Sequence, residues 1–212
     1  KKISIKSNLI TYNWELKILN SKTPSILVDQ FNNVFDTQSF NYEIKKNILK
    51  IEDANFKDFE NNSFYTKLAY INTFTNQLIG KGISIDLNNK SFNKENDPRL
   101  KGKTIFFDNK ITEVSKGVFT TCKKSDNCPP WQLSAEKIRH DKEKKIIDYK
   151  NAWLKIYDIP VMYFPKFFHP DPTVNRKSGF LVPMIKNSSN SDNFLSVPYF
   201  YVMGVNKDMT FT

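Results

Sequence analysis

Long hydrophobic runs are missing from this 212-residue chain. It has no apolar stretch of about 18 residues, which excludes a transmembrane helix. The first ten residues, KKISIKSNLI, are basic but contain no continuous apolar segment, so we expect any export leader to have been removed before residue 1. Glycine is also scarce, at 6 residues against 18 Phe and 9 Tyr, which indicates well-filled sheets rather than a flexible low-complexity chain.

Cysteine and histidine are scarce as well, with two residues of each. Cys122 and Cys128 lack the spacing of a thioredoxin motif, and a zinc centre needs four ligands, for which only His140 and His169 could supply imidazole. The sequence therefore predicts no metal site, no catalytic site and no cofactor. The structural alternatives are a local disulfide between these two cysteines or a bridge to cysteines beyond Thr212, and either requires an oxidising compartment.

The net charge of +10 invites a nucleic-acid interpretation. However, the lysines are scattered, and the densest cluster, residues 137–145 (KIRHDKEKK), is interrupted by Asp141 and Glu143. It is typical of a solvated turn between strands. We therefore predict no nucleic-acid partner, and expect the excess charge to favour anionic lipid or phosphorylated sugar.

Alternation of apolar and polar residues dominates the first 170 positions, and polar turns recur between the alternating runs. Four segments read as strand, polar turn, strand, beginning at Phe35, Phe64, Leu100 and Leu133. A single hairpin is not stable alone, so the repeats favour stacked hairpins. We predict an all-β fold, with a jelly roll over residues 1–170 and a linker over residues 171–177.

The last forty residues differ in the lengths of their predicted strands and loops. Residues 178–186 and 194–203 read as strands of about ten residues, residues 187–193 (NSSNSDN) as a polar loop, and residues 204–208 as a turn before a further strand. This pattern predicts that residues 178–212 are the first two to three strands of a truncated outer-membrane β-barrel.

Several segments of the second half carry a family resemblance. They are GVFTTC (117–122), PPWQLSAEKIRHD (129–141), KNAWLKIYDIPVMYFP (150–165), RKSGFLVPMI (176–185) and LSVPYFYVMGVNKDMTFT (195–212). In order and spacing they resemble the LPS-assembly protein LptD family, also called OstA. The resemblance implies an OstA/LptA-like jelly roll of stacked hairpins with a V-shaped open groove, followed by a barrel.

The function implied by this resemblance is lipopolysaccharide transport and insertion into the outer leaflet of the outer membrane, without bond chemistry. The implied partners are lipopolysaccharide, an LptA-like periplasmic bridge protein and an LptE-like lipoprotein inside the barrel. The implied location is the cell outer membrane, with the N-terminal domain in the periplasm. The alternatives are a soluble periplasmic lipid-binding bridge module of the LptA or LptC kind, without a barrel, and a β-sandwich hydrolase. The hydrolase would need a spaced carboxylate pair, but the acidic residues fall mainly in turns.

Two prolines fall in the two predicted barrel strands, Pro183 and Pro198. Proline removes a donor from the hydrogen-bond ladder, so the pair could weaken a seam or simply shape strand ends. The resemblance implies that they belong to a lateral gate. It also matches Cys122 to a jelly-roll cysteine that pairs with a cysteine near the end of the barrel. Cys128 departs from that pattern, so which cysteine pairs over the long range stays open.

Inward positions of the alternating strands are the candidates for a lipid groove, although ordinary core packing is the alternative for each. The candidates are Ile48, Ile51, Ile83, Ile85, Phe106, Val118, Phe119, Leu133, Ile138 and Trp153.

Overall fold

The computed structural model describes residues 3–57, 61–87, 97–125, 130–171, 174, 178–181, 184–188, 191–204 and 206–212. Within these ranges every regular element is a strand, which confirms the predicted all-β class. None of the described residues forms a helix long and apolar enough to cross a bilayer.

The strands, in chain order, are β1 (Ser4–Ser7), β2 (Thr11–Asn13), β3 (Ile18–Ser21), β4 (Ser25–Val28), β5 (Val34–Glu43), β6 (Ile48–Lys57), β7 (Ser63–Asn72), β8 (Gln77–Asp86), β9 (Arg99–Phe107), β10 (Ile111–Thr120), β11 (Trp131–Asp141), β12 (Ile146–Ile156), β13 (Ile159–Pro170), β14 (Gly179–Phe180), β15 (Met184–Ser188), β16 (Ser191–Ser196), β17 (Tyr199–Gly204) and β18 (Lys207–Phe211).

One antiparallel sheet contains β1 to β13. From β4 to β13 each strand pairs with the next in the chain, β1 pairs with β4, and β3 joins β2 to β5. The four predicted hairpins are β5–β6, β7–β8, β9–β10 and β11–β12, so the strand–turn–strand repeat is confirmed.

Three of the hairpins turn through four residues, and the last residue of each turn is left-handed. Asn47, Asn76 and Lys145 have φ angles of 57°, 59° and 53°. Asparagine tolerates this conformation well. Side chains also cap the turns, since the Lys144 N–H donates to Asp141 Oδ1 at 2.9 Å. Local residue chemistry therefore specifies where the chain reverses.

A line of interrupted pairing, which we call the fold line, crosses the middle of the sheet. On each strand from β5 to β13 the ladder omits a position near the middle of the strand. On β6, β8, β10 and β12 that position is left-handed, with φ angles of 46° at Asp53, 67° at Gly82, 47° at Lys116 and 50° at Asn151. The full line comprises Gln38, Asp53, Lys67, Gly82, Lys103, Lys116, Glu136, Asn151 and Pro165.

The fold line shifts the inward side chains by one residue. On β7, for example, Phe64 and Thr66 are buried before the line, and Ala69 and Ile71 after it. Ala69 comes three positions after Thr66, whereas regular alternation would place the next inward side chain two positions after it. The two halves of every strand therefore face one another, so one meandering sheet becomes two layers with the apolar core between them.

Small side chains let the sheet close along this line. A Cβ on Gly102 would lie 2.1 Å from Val114 Cγ1, and one on Gly117 would lie 2.5 Å from Ile138 Cδ1. Such distances leave no room for a methyl group.

Threonine hydroxyls replace part of the interrupted ladder. Thr37 Oγ1 lies 2.7 Å from the carbonyl oxygen of Glu52, and Thr66 Oγ1 lies 3.1 Å from that of Lys81. Buried carbonyl groups need such partners. The carbonyl groups of Glu52 and Lys81 therefore keep a hydrogen bond where the strand pairing is interrupted.

The segment after Pro170 forms a sheet of β14, β17 and β18 and a hairpin of β15 and β16. It packs against the large sheet, because the Phe180 ring lies 5.0 Å from Phe167.

The predicted loop 187–193 is wrong, since β15 continues to Ser188 and β16 begins at Ser191. The predicted strand 194–203 is broken before Tyr199, because Pro198 has no N–H to donate. The large sheet ends at Pro170, and the division into residues 1–170, 171–177 and 178–212 stays a prediction.

Candidate binding groove inside the folded sheet

Six of the ten predicted groove residues face the space between the two layers. Each is at most 9% exposed. They belong to two clusters of buried residues, and the half-buried Leu87 and Leu100 pack against both clusters. The six are Ile51, Ile83, Ile85, Phe119, Leu133 and Ile138.

The other four candidates, Ile48, Phe106, Val118 and Trp153, lie on the outer face. Each is adjacent in sequence to an inward residue, and neighbours in a strand point to opposite faces. Trp153 shows the reason clearly, because it is 43% exposed between Ala152 and Leu154, which are buried. These four positions are therefore not part of the interior.

A cavity of about 100 Å³ lies in the interior between β7 and β12. One layer contributes Phe64, Ile85 and Phe119, and the other contributes Val114 and Ile138 among its walls. The cavity exceeds the space that a single water molecule requires. Its walls are mainly hydrocarbon, which suits alkyl groups.

A second cavity of about 30 Å³ lies next to it, towards β13. Phe119 and Tyr149 line both cavities. Leu181 and Val197, from the segment that follows the large sheet, complete the wall of the second cavity. The apolar interior therefore continues to the place where the chain leaves the jelly roll.

A part-buried hydrogen-bond chain fixes the end of β13 beside this cavity. His169 Nδ1 lies 2.7 Å from the carbonyl oxygen of Pro170, and His169 Nε2 lies 2.9 Å from Tyr149 Oη. A carbonyl oxygen can only accept, so Nδ1 carries the proton and the tyrosine hydroxyl donates to Nε2 of the neutral ring. Burial lowers the pKa of His169, and the hydrogen bond to the Pro170 carbonyl and the Asp171 carboxylate offset this only in part. Burial also raises the pKa of Tyr149, so both groups are neutral at pH 7.

A short polar contact lies close to this chain. Asp171 Oδ2 is 2.5 Å from His140 Nε2, and the Asp171 side chain is 10% exposed. The Asp171 N–H donates to the carbonyl oxygen of Lys145 at 3.1 Å. The first residue after β13 is thus attached to β11 and to the turn between β11 and β12.

One cation lies at the wall of the larger cavity. Lys142 Nζ donates to the carbonyl oxygen of Asp108 at 2.9 Å and lies 3.8 Å from the centre of the Phe107 ring. An ammonium group beside an apolar cavity could meet the phosphate of an amphiphile while its alkyl chains enter the interior.

Cys122 is half-buried just after β10 and packs against the core cluster that contains Trp131. Its N–H donates to Thr120 Oγ1 at 3.2 Å, and its Sγ lies 3.6 Å from the carbonyl oxygen of Trp131. Cys128 lies outside the described residues, so the predicted disulfide chemistry of this pair stays a prediction.

The structure describes one of the two predicted gate prolines, Pro198. Pro183 lies outside the described residues. Pro198 is buried between β16 and β17, and its carbonyl oxygen accepts the Leu181 N–H at 2.8 Å. This position at a strand break is compatible with either alternative, so the gate role stays a prediction.

The most informative residues that sequence reasoning missed are Tyr149, His169, Phe164 and Phe167. Their aromatic rings form a chain of contacts along β12 and β13, with centroids 5.3 to 5.4 Å apart. The dense aromatic run MYFPKFFH was a signal for this cluster. In the described part of the chain, no group of three or more His, Cys, Asp or Glu side chains is arranged to hold a metal ion.

Comparison with known proteins identifies related sequences. No family model matches the chain. It is 39% identical to the LPS-assembly protein LptD of Nitrosococcus oceani over 101 residues, which is 48% of this chain and 13% of that protein. It is 35% identical over 104 residues to LptD of Yersinia enterocolitica, covering 49% of this chain and 13% of the relative.

The match to LptD of Idiomarina loihiensis is longer, at 32% identity over 144 residues, which is 63% of this chain and 18% of that protein. The predicted resemblance to an LptD N-terminal region is therefore confirmed over about half of the chain. The chain spans only 13% to 18% of the length of these three relatives.

Proposed function

We propose that this LptD-like chain takes part in lipopolysaccharide assembly at the outer membrane, and that its two-layered interior carries the acyl chains. The apolar space between the layers supports the proposal, because it extends through two cavities to the point where the chain leaves the large sheet. The sequence comparison supports the same role, because the matched relatives are named LPS-assembly protein. The proposed role is transport without bond chemistry, so no catalytic residue is assigned.

Lipid binding requires the two layers to separate. The interior around β4 to β8 is closed, with Leu27, Ile51 and Ala69 at 0% exposure, and the cavities lie further along the sheet. Each acyl methylene that enters would contribute about 0.8 kcal/mol. A few methylenes would therefore offset the packing that is lost when the two layers separate. We expect the layers to open along the fold line, because the strand pairing is least regular there.

The proposed path runs from the β1 end of the sheet to the β13 end. β1 pairs only with β4 among the described strands, so its other edge is free to receive an added strand from an LptA-like bridge protein. At the other end, residues 178–212 would begin the barrel, with Pro183 and Pro198 at its lateral gate and an LptE-like lipoprotein inside. The large sheet would then lie in the periplasm.

The alternative of a soluble bridge module is less well supported. The relatives are named LptD, not bridge proteins, and five further strands, β14 to β18, follow the large sheet, with Phe180 of β14 packed against Phe167.

Site-specific photo-crosslinking tests the groove. A photoreactive amino acid is placed at Ile85 or Phe119, which line the larger cavity, and the purified chain is irradiated with lipopolysaccharide. The matched controls are Ser84 and Val118, the adjacent outward residues on the same strands. We expect adducts from the inward member of each pair only.

Equal labelling of both members of a pair, or labelling of the outward positions alone, would contradict an interior path. The comparison is internal to each strand, so differences in expression or lipid concentration do not affect it.

A further inference from the structure

A row of lysines follows the outer side of the fold line. On each strand from β7 to β13, two consecutive residues at the line point outwards, and none of these fourteen residues is buried. One residue of each of the seven pairs is a lysine. These lysines, which we call the lysine ridge, are Lys67, Lys81, Lys103, Lys116, Lys137, Lys150 and Lys166.

Composition does not account for this row. Lysine and arginine together make up 32 of the 212 residues, whereas lysine occupies seven of the fourteen outward positions at the line. The same positions hold one acidic residue, Glu136, and the Asn151 amide donates to its carboxylate. On β6 the line is acidic instead, with Glu52 and Asp53. The positive charge therefore belongs to the part of the sheet between β7 and β13.

The ridge charges are exposed and mostly uncompensated. All seven lysines are exposed to solvent. Within the described residues, Lys137 is the one member with an ion pair, to Glu113 at 2.7 Å. Lys137, Lys150 and Lys166 lie directly opposite one another on β11, β12 and β13. Like charges in cross-strand positions repel, so the arrangement costs stability unless an anion covers it.

The shape of the ridge restricts the ligand. Neighbouring strands are about 4.8 Å apart, so seven lysines extend over roughly 29 Å. They lie on the convex side of the fold, because the inward side chains of both layers meet on the other side. A convex edge of this length can touch a flat surface along a line but cannot enclose a small anion.

Exposed aromatic side chains flank one end of the ridge. Trp153 and Tyr163 are the next outward residues on one side of the line, 43% and 44% exposed, with ring centroids 4.9 Å apart. Phe168 is the next outward residue on the other side and is 47% exposed. Tryptophan and tyrosine prefer the boundary between lipid headgroups and acyl chains.

We propose that the lysine ridge and its flanking aromatic residues form a docking surface for an anionic lipid bilayer. The lysines contact headgroup phosphates along the fold line, and Trp153, Tyr163 and Phe168 enter the interface at the β12–β13 end. This surface lies on the opposite face of the sheet from the proposed groove. Its function is to hold the large sheet against the membrane, and it does not depend on lipopolysaccharide binding.

Vesicle co-sedimentation tests this surface. The 212-residue chain is mixed with phosphatidylglycerol–phosphatidylcholine vesicles or with pure phosphatidylcholine vesicles, without lipopolysaccharide. We expect binding to the anionic vesicles that decreases with salt, because screening shortens the range of these charges. The variant K103E/K150E/K166E should bind at least about 100-fold more weakly, since each lysine near a charged surface contributes about a fivefold factor and each added carboxylate weakens binding further.

The matched control is K45E/K57E/K144E, which changes the net charge equally at exposed positions away from the ridge. The affinity of this control for anionic vesicles should fall only a few-fold. Trp153→Ser should weaken binding without any change in charge. Circular dichroism confirms that each variant is folded. Equal losses in the two triple variants, binding to neutral vesicles alone, no binding by the parent chain, or tighter binding to double-stranded DNA would each overturn the proposal.

Discussion

Because the sheet is closely packed along the fold line, we expect a substitution at Gly102 to reduce the stability of the protein by a measurable amount. The substitution Gly102→Ala adds a methyl group 2.1 Å from Val114 Cγ1, whereas carbon atoms in contact are about 3.5–4.0 Å apart. The neighbour must therefore move by roughly 1.5 Å in a closely packed core. Overpacking of this kind costs about 1–3 kcal/mol, which the lower backbone entropy of alanine in the unfolded chain offsets only in part.

A second substitution identifies the atom responsible. Val114 is 1% exposed, and Val114→Ala alone should cost about 2 kcal/mol from reduced burial and the resulting cavity. It also removes the Cγ1 methyl that Gly102→Ala would strike. In this background, Gly102→Ala should be neutral or slightly stabilising. The double-mutant cycle therefore predicts a favourable coupling energy of about 2 kcal/mol.

The measurement is urea unfolding of the parent chain, both single variants and the double variant, followed by circular dichroism. Gly204→Ala is the control, because no atom lies within 4 Å of its added Cβ, and it should change stability by less than about 0.5 kcal/mol. A coupling energy near zero would refute the close approach of β9 and β10 on which the two-layer description depends.

Three further predictions concern buried polar groups. Thr66→Val should destabilise the protein by about 1–2 kcal/mol in urea unfolding, because the carbonyl oxygen of Lys81 loses its hydroxyl partner. Tyr149→Phe should cost about 1–3 kcal/mol in the same assay, since Nε2 of half-buried His169 loses its donor. Stability should also depend on pH through His169. Burial lowers its pKa in the folded state below the unfolded value of 6.5, so the unfolded chain binds more protons. The contribution is complete above pH 6.5 and is lost as the pH falls below it, which urea midpoints measured between pH 7.5 and 5.5 will detect.

Each of these predictions has a matched control. Thr75→Val removes an exposed hydroxyl, and Tyr65→Phe removes an exposed hydroxyl that donates to Asp53 at 2.8 Å. Both should change stability by less than about 0.5 kcal/mol. For the pH dependence, the variant His169→Asn should show a smaller decrease in midpoint on acidification. A Tyr149→Phe protein as stable as its parent, or an unchanged pH profile in the histidine variant, would contradict the hydrogen-bond chain.

The hairpins and part of the groove could be predicted from the sequence because their signals are local. Ile83 and Ile85 are two residues apart on the same side of the fold line, so simple alternation places both inwards. Leu133 and Ile138 are five residues apart and share a face only because the line falls between them. Ile48 and Trp153 were assigned to the interior although alternation alone cannot say which face is inside.

The buried polar contacts could not be predicted in the same way. Tyr149 and His169 are twenty residues apart and meet because β12 and β13 pair in one particular register. The same is true of the lysine ridge, whose members come from seven different strands. Sequence spacing alone shows them as scattered charges, and the common register places them in one row.

Local chemistry in the sequence thus determined the all-β class, the four hairpins and the turns at Asn47 and Asn76, since alternation and left-handed asparagines act within a few residues. Similarity to LptD also came from the sequence. Only the tertiary structure decided where the sheet folds over, which side chains face the interior and which lysines align. These features depend on the register between strands, and that register is set by packing between residues far apart in the chain.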